Sequence, residues 1–395
     1  MMWLVDMIAK LYRLTVTILL SYFLAGCGTV AGWLQDDVYV MPPSELVDFP
    51  HEFEPQVLWA VDTGDGAPDE YSDLAVWIHG ESVVTVDYEG TVTSFNKQSG
   101  KSVWKSKLDV PVAAGAGGGE GLIYIGTVKG TIIALDENNG VVKWQQKLTS
   151  EVLAPAKASK GIVVARTADG RMSGLSAEDG KVLWNYQRTV PLLSLRGTSA
   201  PVLKDDKVIA GYDNGKLVAL SLLDGSVLWE KSVAVPRGRT ELDRLVDIDA
   251  DPVIVNDLIY VVAFHGRMAA IRVDTGDIVW ARDMSSRTGL DVDQFNAVYV
   301  TDDEDNVWAV QDGSGDGLWR QTRLLRRKVT APAIVANNVI VGDFEGYVHW
   351  LSRDDGRFVS RLKIADSAIR SKPVVKDDIV YVIAIDGTLT ALRVQ

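Results

Sequence analysis

The sequence predicts an all-β fold, an eight-bladed β-propeller with four-stranded blades whose ring is closed by an N-terminal strand. Three observations lead to this prediction. One unit recurs at intervals of mostly 40 residues, each unit contains four short apolar segments, and the last unit lacks a strand that a segment near the amino terminus can supply. Radial repetition of units of about this length is typical of propellers.

The core unit begins with a glycine, continues through an alternating strand and a turn, and ends in Gly-x-x-x-Trp, as in Gly130 to Trp144, with a variant that runs from Asn306 to Trp319. Glycine permits the positive φ that tight turns need. The opening residues are Gly90, Gly130, Gly170, Gly215, Gly266, Asn306, Gly346 and Gly387, at intervals of 40, 40, 45, 51, 40, 40 and 41 residues. The repeat therefore predicts eight blades.

The remaining strands of each unit lie before its opening glycine. A β-rich run such as 122–125 precedes the glycine, and a short segment such as 331–335 comes earlier still. The last unit stops without its Gly-x-x-x-Trp strand, and the segment 57–61 near the start resembles that strand. If the two pair, the ring closes without a free sheet edge at the join.

The tryptophan that ends each repeat is predicted to be structural. The indole side chain is large enough to fill the gap between twisted neighbouring blades and buries about 150–250 Å² of surface. Unit seven departs from the pattern, because Ser360 takes the tryptophan position. The predicted docking residues are Trp59, Trp104, Trp144, Trp184, Trp229, Trp280 and Trp319.

Residues 1–26 have the pattern of a bacterial lipoprotein signal peptide. Lys10 and Arg13 are followed by an apolar stretch that is shorter than the about 20 residues needed to span a bilayer. The stretch ends in Leu-Ala-Gly-Cys, which resembles a lipobox. This resemblance implies cleavage before Cys27 and attachment of acyl chains, palmitate among them, to that cysteine.

The segment 27–54 is predicted to be the lipidated cysteine and a tether, because it has no periodicity and contains three prolines. The propeller is expected to occupy residues 55–395. Two or three acyl chains anchor a protein stably where one is marginal. By resemblance to Gram-negative lipoproteins, Gly28 favours the outer membrane, with the protein facing the periplasm.

Composition excludes several classes of function. A net charge of −13 argues against binding to nucleic acid, which needs clustered lysine and arginine. Cys27 is the single cysteine, and the four histidines are far apart in sequence, so no metal site is predicted.

The Ala-Leu-Asp-x-x-x-Gly-x-x-x-Trp pattern resembles the tryptophan-docking repeats of pyrroloquinoline-quinone (PQQ) dehydrogenases over residues 55–395. This resemblance leaves an enzyme as one alternative, with PQQ and calcium on the central axis. Many members also have two adjacent cysteines beside the cofactor, which this chain lacks, and it lacks the long insertions that enlarge their active sites. We therefore expect no cofactor and no enzymatic activity.

The lipobox, the short tether and the eight blades together resemble the BamB-like lipoproteins of the outer-membrane β-barrel assembly machine. Two long connections between blades strengthen the resemblance. The first is 189–197, and the second is 237–251. Because equivalent connections of successive blades emerge on one face of a propeller, we expect the two to form a single raised patch.

The resemblance implies that this patch contacts the barrel protein BamA at its periplasmic POTRA domains. The residues that match are Leu193, Leu195, Arg196, Asp247 and Asp249. Leu192 is a further candidate, although another residue type would serve at that position. Asp243 and Arg244 also match, but an ion pair within the loop explains them equally well. An apolar cluster beside charged residues at a rim is typical of partner contacts.

Plainer alternatives for these residues stay open. The leucines can pack beneath their own loop, and the aspartates can form a solvated turn or a calcium loop, although the glycine and glutamate of a calcium loop are missing. The sequence thus predicts a non-enzymatic scaffold that binds BamA and assists insertion of nascent outer-membrane proteins. A generic periplasmic propeller adaptor is the alternative.

Overall fold

The computed structural model describes residues 41–67, 74–188, 199–235, 245–293 and 297–394. These residues contain 32 β-strands arranged as eight four-stranded antiparallel sheets, the blades of a β-propeller, and no helix. The predicted fold class is confirmed. Within this described part, nothing helical has the length and apolar character to cross a bilayer.

In each blade the strands are given from the innermost to the outermost. Blade 1 contains β2 (Trp77–His79), β3 (Ser82–Val86), β4 (Thr91–Asn96) and β5 (Ser102–Lys107). Blade 2 contains β6 (Gly117–Gly119), β7 (Leu122–Gly126), β8 (Thr131–Asp136) and β9 (Val142–Lys147). Blade 3 contains β10 (Lys157–Ser159), β11 (Ile162–Arg166), β12 (Arg171–Ser176) and β13 (Val182–Gln187). Blade 4 contains β14 (Val202–Lys204), β15 (Lys207–Tyr212), β16 (Lys216–Ser221) and β17 (Val227–Ser232).

The other half of the ring follows the same order. Blade 5 contains β18 (Val253–Val255), β19 (Leu258–Val262), β20 (Arg267–Arg272) and β21 (Ile278–Asp283). Blade 6 contains β22 (Gly289–Val292), β23 (Ala297–Thr301), β24 (Val307–Gln311) and β25 (Gly317–Gln321). Blade 7 contains β26 (Ala333–Val335), β27 (Asn338–Gly342), β28 (Tyr347–Ser352) and β29 (Phe358–Lys363). Blade 8 contains β30 (Val374–Lys376), β31 (Ile379–Ile383), β32 (Thr388–Arg393) and β1 (Gln56–Asp62).

The burial pattern follows from each strand's place in its blade. The second strands are buried nearly throughout, as in β11, because neighbouring blades cover both of their faces. Their sequences are therefore continuous runs of apolar residues and do not alternate between apolar and polar residues. An outer strand such as β9 buries only its tryptophan and exposes most other residues. The core thus consists of layers between blades, one of them joining blades 4 and 5.

Closure of the ring agrees with the sequence prediction. Strand β1 pairs antiparallel with β32, so the first strand of the chain completes the last blade. Trp59 of β1 then donates from Nε1 to the carbonyl of Lys97 in blade 1, at 3.0 Å. The two ends of the propeller are held by this strand pairing and by this contact with the next blade.

Each of the seven docking tryptophans joins its blade to the next one. Trp144, for example, donates from Nε1 to the carbonyl of Ala177 at 2.9 Å, and its ring lies against Gly180. The other rings lie against a glycine in the same turn of the following blade. These pairs are Trp59 with Gly100, Trp104 with Gly140, Trp184 with Gly225, Trp229 with Gly276, Trp280 with Gly315, and Trp319 with Gly356.

A β-bulge in the outer strand aims each docking tryptophan at the next blade. In blade 2, Ala134 pairs with Trp144 but Leu135 pairs with Val142, so the intervening residue is unpaired. The same shift occurs in all eight blades. A bulge bends its strand and redirects a side chain. The strand that carries the Gly-x-x-x-Trp motif is therefore a bulged strand.

The seam between blades 7 and 8 has a different contact, which explains Ser360. A docking tryptophan needs the turn that joins the two outer strands of the next blade. Blade 8 has no such turn, because β32 lies at the carboxyl end of the propeller and β1 at its amino end. Ser360 instead donates from Oγ to the carbonyl of Phe53 at 2.9 Å.

Residues 44–53, which we name the strap, cover this seam. The sequence predicts a tether over 27–54, but the compact unit begins at Pro43. Phe49 stacks on Phe358 with ring centroids 5.2 Å apart, and Phe53 meets the edge of Trp350. No repeating pattern in the sequence marks the strap, because it contacts residues about 300 positions later in the chain and is not part of a repeated unit.

Candidate functional site

The two long connections between blades 3, 4 and 5 define the candidate site. Residues 189–198 and 236–244 lie outside the described residues, and with them Leu192, Leu193, Leu195, Arg196, Asp243 and Arg244. Cys27 also lies outside. The structure describes Asp247, Asp249 and the strands that flank both connections.

The described ends of the two connections meet each other. Asp251, at the end of the second, accepts a hydrogen bond from the Ala200 amide at the end of the first, at 2.6 Å. The backbone of the segment 245–251 also bonds to both neighbouring blades, through the Ile248 amide to the Tyr212 carbonyl and through the Asp247 carbonyl to the Phe264 amide. The ends of the predicted patch are therefore brought together.

Asp247 and Asp249 belong to a charged cluster beneath this surface. Asp247 is only 1% exposed, so the solvated-turn alternative is wrong for this residue. Arg166 of blade 3 is 2% exposed and lies over the ring of Tyr212, with 4.4 Å between Cζ and the centroid. Its Nη2 lies 3.5 Å from Asp213 Oδ1, and its Nη1 donates to the Ser199 carbonyl at 3.1 Å.

Burial outweighs the single arginine in the electrostatics of this cluster. It raises the pKa of Asp213 even though the guanidinium of Arg166 opposes the shift. Burial, reinforced by the charges of Asp247 and Asp213, raises the pKa of Asp249 to about 8. A carboxyl group in this position is poised to exchange its proton for a cationic group.

Several polar atoms around the cluster have no hydrogen-bond partner among the described residues. They are Arg166 Nε, Tyr212 Oη, Asn214 Oδ1 and Asp249 Oδ1. Each buried polar atom left without a partner costs about 1–3 kcal/mol. Such atoms are rare in native proteins and call for a specific explanation where they gather. These four atoms lie near the described ends of the two long connections.

Sequence reasoning finds two members of the cluster and misses three. Arg166, Tyr212 and Asp213 lie 34 to 81 positions before Asp247, and the fold of the propeller brings them to the same cluster. Arg166 could have been noticed in the sequence. It directly follows the apolar run 162–165, and a charged residue is unusual in a buried second strand. Tyr212 ends β15 and Asp213 begins the turn that follows it, and neither stands out in the sequence.

The chain does not fit the PQQ and calcium site of the dehydrogenases. Its single cysteine cannot form a pair of adjacent cysteines. Throughout the described ranges, no three carboxylate, histidine or cysteine side chains are grouped so as to hold a metal ion. We therefore assign no chemical step to such a cofactor.

Comparison with known proteins agrees with this geometry. The family model described as "Outer membrane protein assembly factor BamB" matches residues 88–321 and 304–395. The chain is 46% identical to the Pseudomonas aeruginosa protein of that name over 366 residues, covering 93% of this chain and 96% of that protein. It is 34% identical to the Escherichia coli protein of that name over 394 residues, covering 97% and 99%.

Solved structures that superpose on this chain include a BamB protein and a dehydrogenase. The crystal structure of BamB from Moraxella catarrhalis superposes with a TM-score of 0.80 at 26% identity, covering 86% of this chain and all of that one. The quinohemoprotein alcohol dehydrogenase of Comamonas testosteroni superposes with a TM-score of 0.69 at 12% identity, covering 86% and 76%, which reflects the shared fold alone. From its repeats, its closed ring and its similarity over nearly the whole chain, this protein belongs to the BamB family of outer-membrane protein assembly factors.

Proposed function

We propose that the chain is a non-enzymatic scaffold lipoprotein of the outer-membrane β-barrel assembly complex and binds the POTRA region of BamA. The observation that supports this proposal is the cluster of Arg166, Asp213, Asp247 and Asp249 beside the described ends of the two long connections. It combines buried charge with two polar atoms, Arg166 Nε and Asp249 Oδ1, that have no hydrogen-bond partner among the described residues. An interface completes such groups, and electrostatic complementarity gives it specificity.

The two connections supply the rest of the proposed interface. Leu192, Leu193 and Leu195 form its apolar part, and Arg196 adds a guanidinium that can make bidentate contacts. A basic group of the partner is the natural complement of Asp249, whose carboxyl group loses its proton most readily when a cation approaches. Apolar anchors beside charged residues are typical of specific interfaces.

Anchoring is the second element of the proposal. Acyl chains on Cys27 would hold the protein at the outer membrane, facing the periplasm. The scaffold would then work beside BamA while nascent outer-membrane proteins are inserted. A generic periplasmic adaptor with the same propeller would use the same surface for another partner, and failure of the purified chain to bind the POTRA region would favour it.

Asp249→Asn tests the proposed interface. The variant keeps the shape of the side chain but cannot carry its charge, so we expect about tenfold weaker binding to the purified POTRA region at pH 8, as measured by calorimetry. The matched control is Asp366→Asn, which removes an exposed carboxylate paired with Lys363 near the seam of blades 7 and 8. Binding by Asp249→Asn that equals wild type, or an equal loss in Asp366→Asn, would contradict the proposal.

Stability separates this loss of binding from unfolding. With a pKa of about 8, Asp249 holds a proton in the folded protein that the unfolded chain releases above a pH of about 4. Wild type therefore loses free energy of unfolding as pH rises from about 4 to about 8. Asparagine does not titrate, so Asp249→Asn is expected to be at least as stable as wild type at pH 8 while binding more weakly.

A further inference from the structure

The strap is held by backbone and side-chain hydrogen bonds with blade 7 and with the connection before it. The Ser44 amide donates to the Leu325 carbonyl at 3.0 Å, and the Glu52 amide donates to the Val359 carbonyl at 2.8 Å. Between these two ends, Arg361 Nη1 donates to the Val47 carbonyl at 3.0 Å. The guanidinium of Arg361 also lies 4.9 Å from the ring centroid of Phe49, which is a favourable cation–π contact.

Arg361 is positioned in turn by a histidine that is completely buried. Its Nε donates to His349 Nδ1 at 3.1 Å, and His349 Nε2 lies 2.9 Å from Asp343 Oδ2. Because an arginine is always a donor, Nδ1 must be the unprotonated nitrogen. His349 is therefore the neutral tautomer that donates from Nε2 to Asp343 and accepts from Arg361. His349 and Asp343 are both 0% exposed.

We propose that His349 and Arg361 form a proton-sensitive latch that holds the strap on blade 7 at neutral pH and releases it in acid. A second proton on the imidazole would occupy the lone pair that Arg361 uses. The two groups would then be cations facing each other, so Arg361 would turn away from His349. Its bond to Val47 and its contact with Phe49 would be lost together.

The surrounding charges determine the direction of this response. Asp343 faces His349 from the turn before β28, whereas Arg327 from the preceding connection and Arg361 from β29 bring positive charge. Glu345 pairs with Arg327, and Asp48 of the strap acts on Arg361. Burial first, and then the two arginines, lower the pKa of His349 below its ordinary value despite Asp343. The imidazole is thus neutral at pH 7 and becomes charged only in acid.

Release of the strap would lengthen the connection between the ring and the membrane. This consequence rests on the proposed acylation of Cys27. With the strap docked, the chain from Cys27 to Ser44 spans at most about 60 Å, and with the strap free the chain to Gln56 spans at most about 100 Å. The latch would therefore set how far the propeller can move from its anchor.

Amide hydrogen exchange on the full chain tests the latch without a membrane or a partner, so its result is independent of the proposed function. We expect protection of the Ser44 and Glu52 amides, corrected for intrinsic rates, to fall at least tenfold between pH 7.5 and pH 5. Amides of β7 and β8 should keep their protection, which shows that the ring stays folded. Unchanged protection of the strap at pH 5 would overturn the proposal.

Two variants assign the titrating group. His349→Asn places an amide oxygen where Nδ1 accepts from Arg361 but cannot take up a proton, so strap protection should stay within about twofold of its neutral value at pH 5. His51→Asn removes the other histidine of this region, which lies 3.0 Å from Glu54, and should respond like wild type. An acid response that persists in His349→Asn, or disappears in His51→Asn, would contradict the assignment. If His349→Asn does not fold, the pH dependence of strap protection in wild type and in His51→Asn still tests the latch.

Discussion

Replacement of Gly180 by alanine is expected to lower the free energy of unfolding by about 3 kcal/mol, a large effect for one methyl group. Gly180 has a φ of +75°, where a side chain costs about 1–2 kcal/mol. An added Cβ would also lie 2.5 Å from Cε3 of Trp144. Overpacking of this kind adds about 1–3 kcal/mol. Urea denaturation of the two purified proteins measures the difference.

Gly161 is the matched control in the same blade. Its φ of +74° is nearly the same, but a Cβ there would have no atom within 4 Å. Gly161→Ala should therefore cost only about 1 kcal/mol, the backbone part of the effect. In a Trp144→Leu background, Gly180→Ala should cost no more than Gly161→Ala does, because the ring it collides with is gone. Equal costs for the two glycines in wild type would show that docking does not depend on this contact.

Asp343→Ala is expected to destabilise the protein by about 3–5 kcal/mol, the usual cost of breaking a buried ion pair by removing one partner. Asp343 Oδ2 lies 2.8 Å from Arg327 Nη2 and 2.9 Å from His349 Nε2, while Oδ1 accepts from the amides of Glu345 and Tyr347. Arg327 is only 3% exposed and would have to stay buried or distort blade 7. Thermal unfolding measures the loss.

The pH dependence gives a second readout for Asp343. Burial alone would raise the pKa of Asp343, but the hydrogen bond from His349 and the charge of Arg327 hold that pKa below its ordinary value. A lowered pKa means that Asp343 contributes stability above about pH 4 and loses it as pH falls through the folded-state pKa. Asp343→Ala should lack this part of the acid transition. Asp179→Ala removes an exposed partner of Lys181 and should change nothing measurable.

Sequence alone predicts the architecture because propellers are built from local repeats. The interval between opening glycines gives the blade number, and the tryptophan and turn glycine recur within one unit. Closure by β1 is also predictable, because 57–61 has the features of the strand that the last unit lacks. The bulge before each tryptophan is not, since it is a shift in pairing and no residue type marks it.

The strap could not be predicted, because long-range contacts of irregular segments leave no periodic signal. Val47 and Phe53 look like isolated apolar residues in a proline-rich stretch, yet they meet Arg361 and Trp350. The substitution of Ser360 for tryptophan was the one hint that the seam is built differently.

The sequence predicts Asp247 and Asp249 as candidate site residues but does not predict their burial. Asp247 and Asp249 stand out because they lie in an unusually long connection, but Asp249 interacts with Arg166 and Asp213, which come from blades 3 and 4. A sequence shows which residues lie in a loop. It does not show which of them the ring buries beside residues from other blades.

The most direct test of the central claim is co-purification of the full-length lipoprotein with the barrel protein from outer membranes. Wild type and an exposed control, Leu318→Ala in blade 6, should recover the barrel protein in equal amounts. The double variant Leu195→Ala/Arg196→Ala should recover at least tenfold less at equal expression, because it removes an apolar anchor and a charged contact together. Recovery of the barrel protein by the double variant at the wild-type level, or by none of the three proteins, would contradict the account.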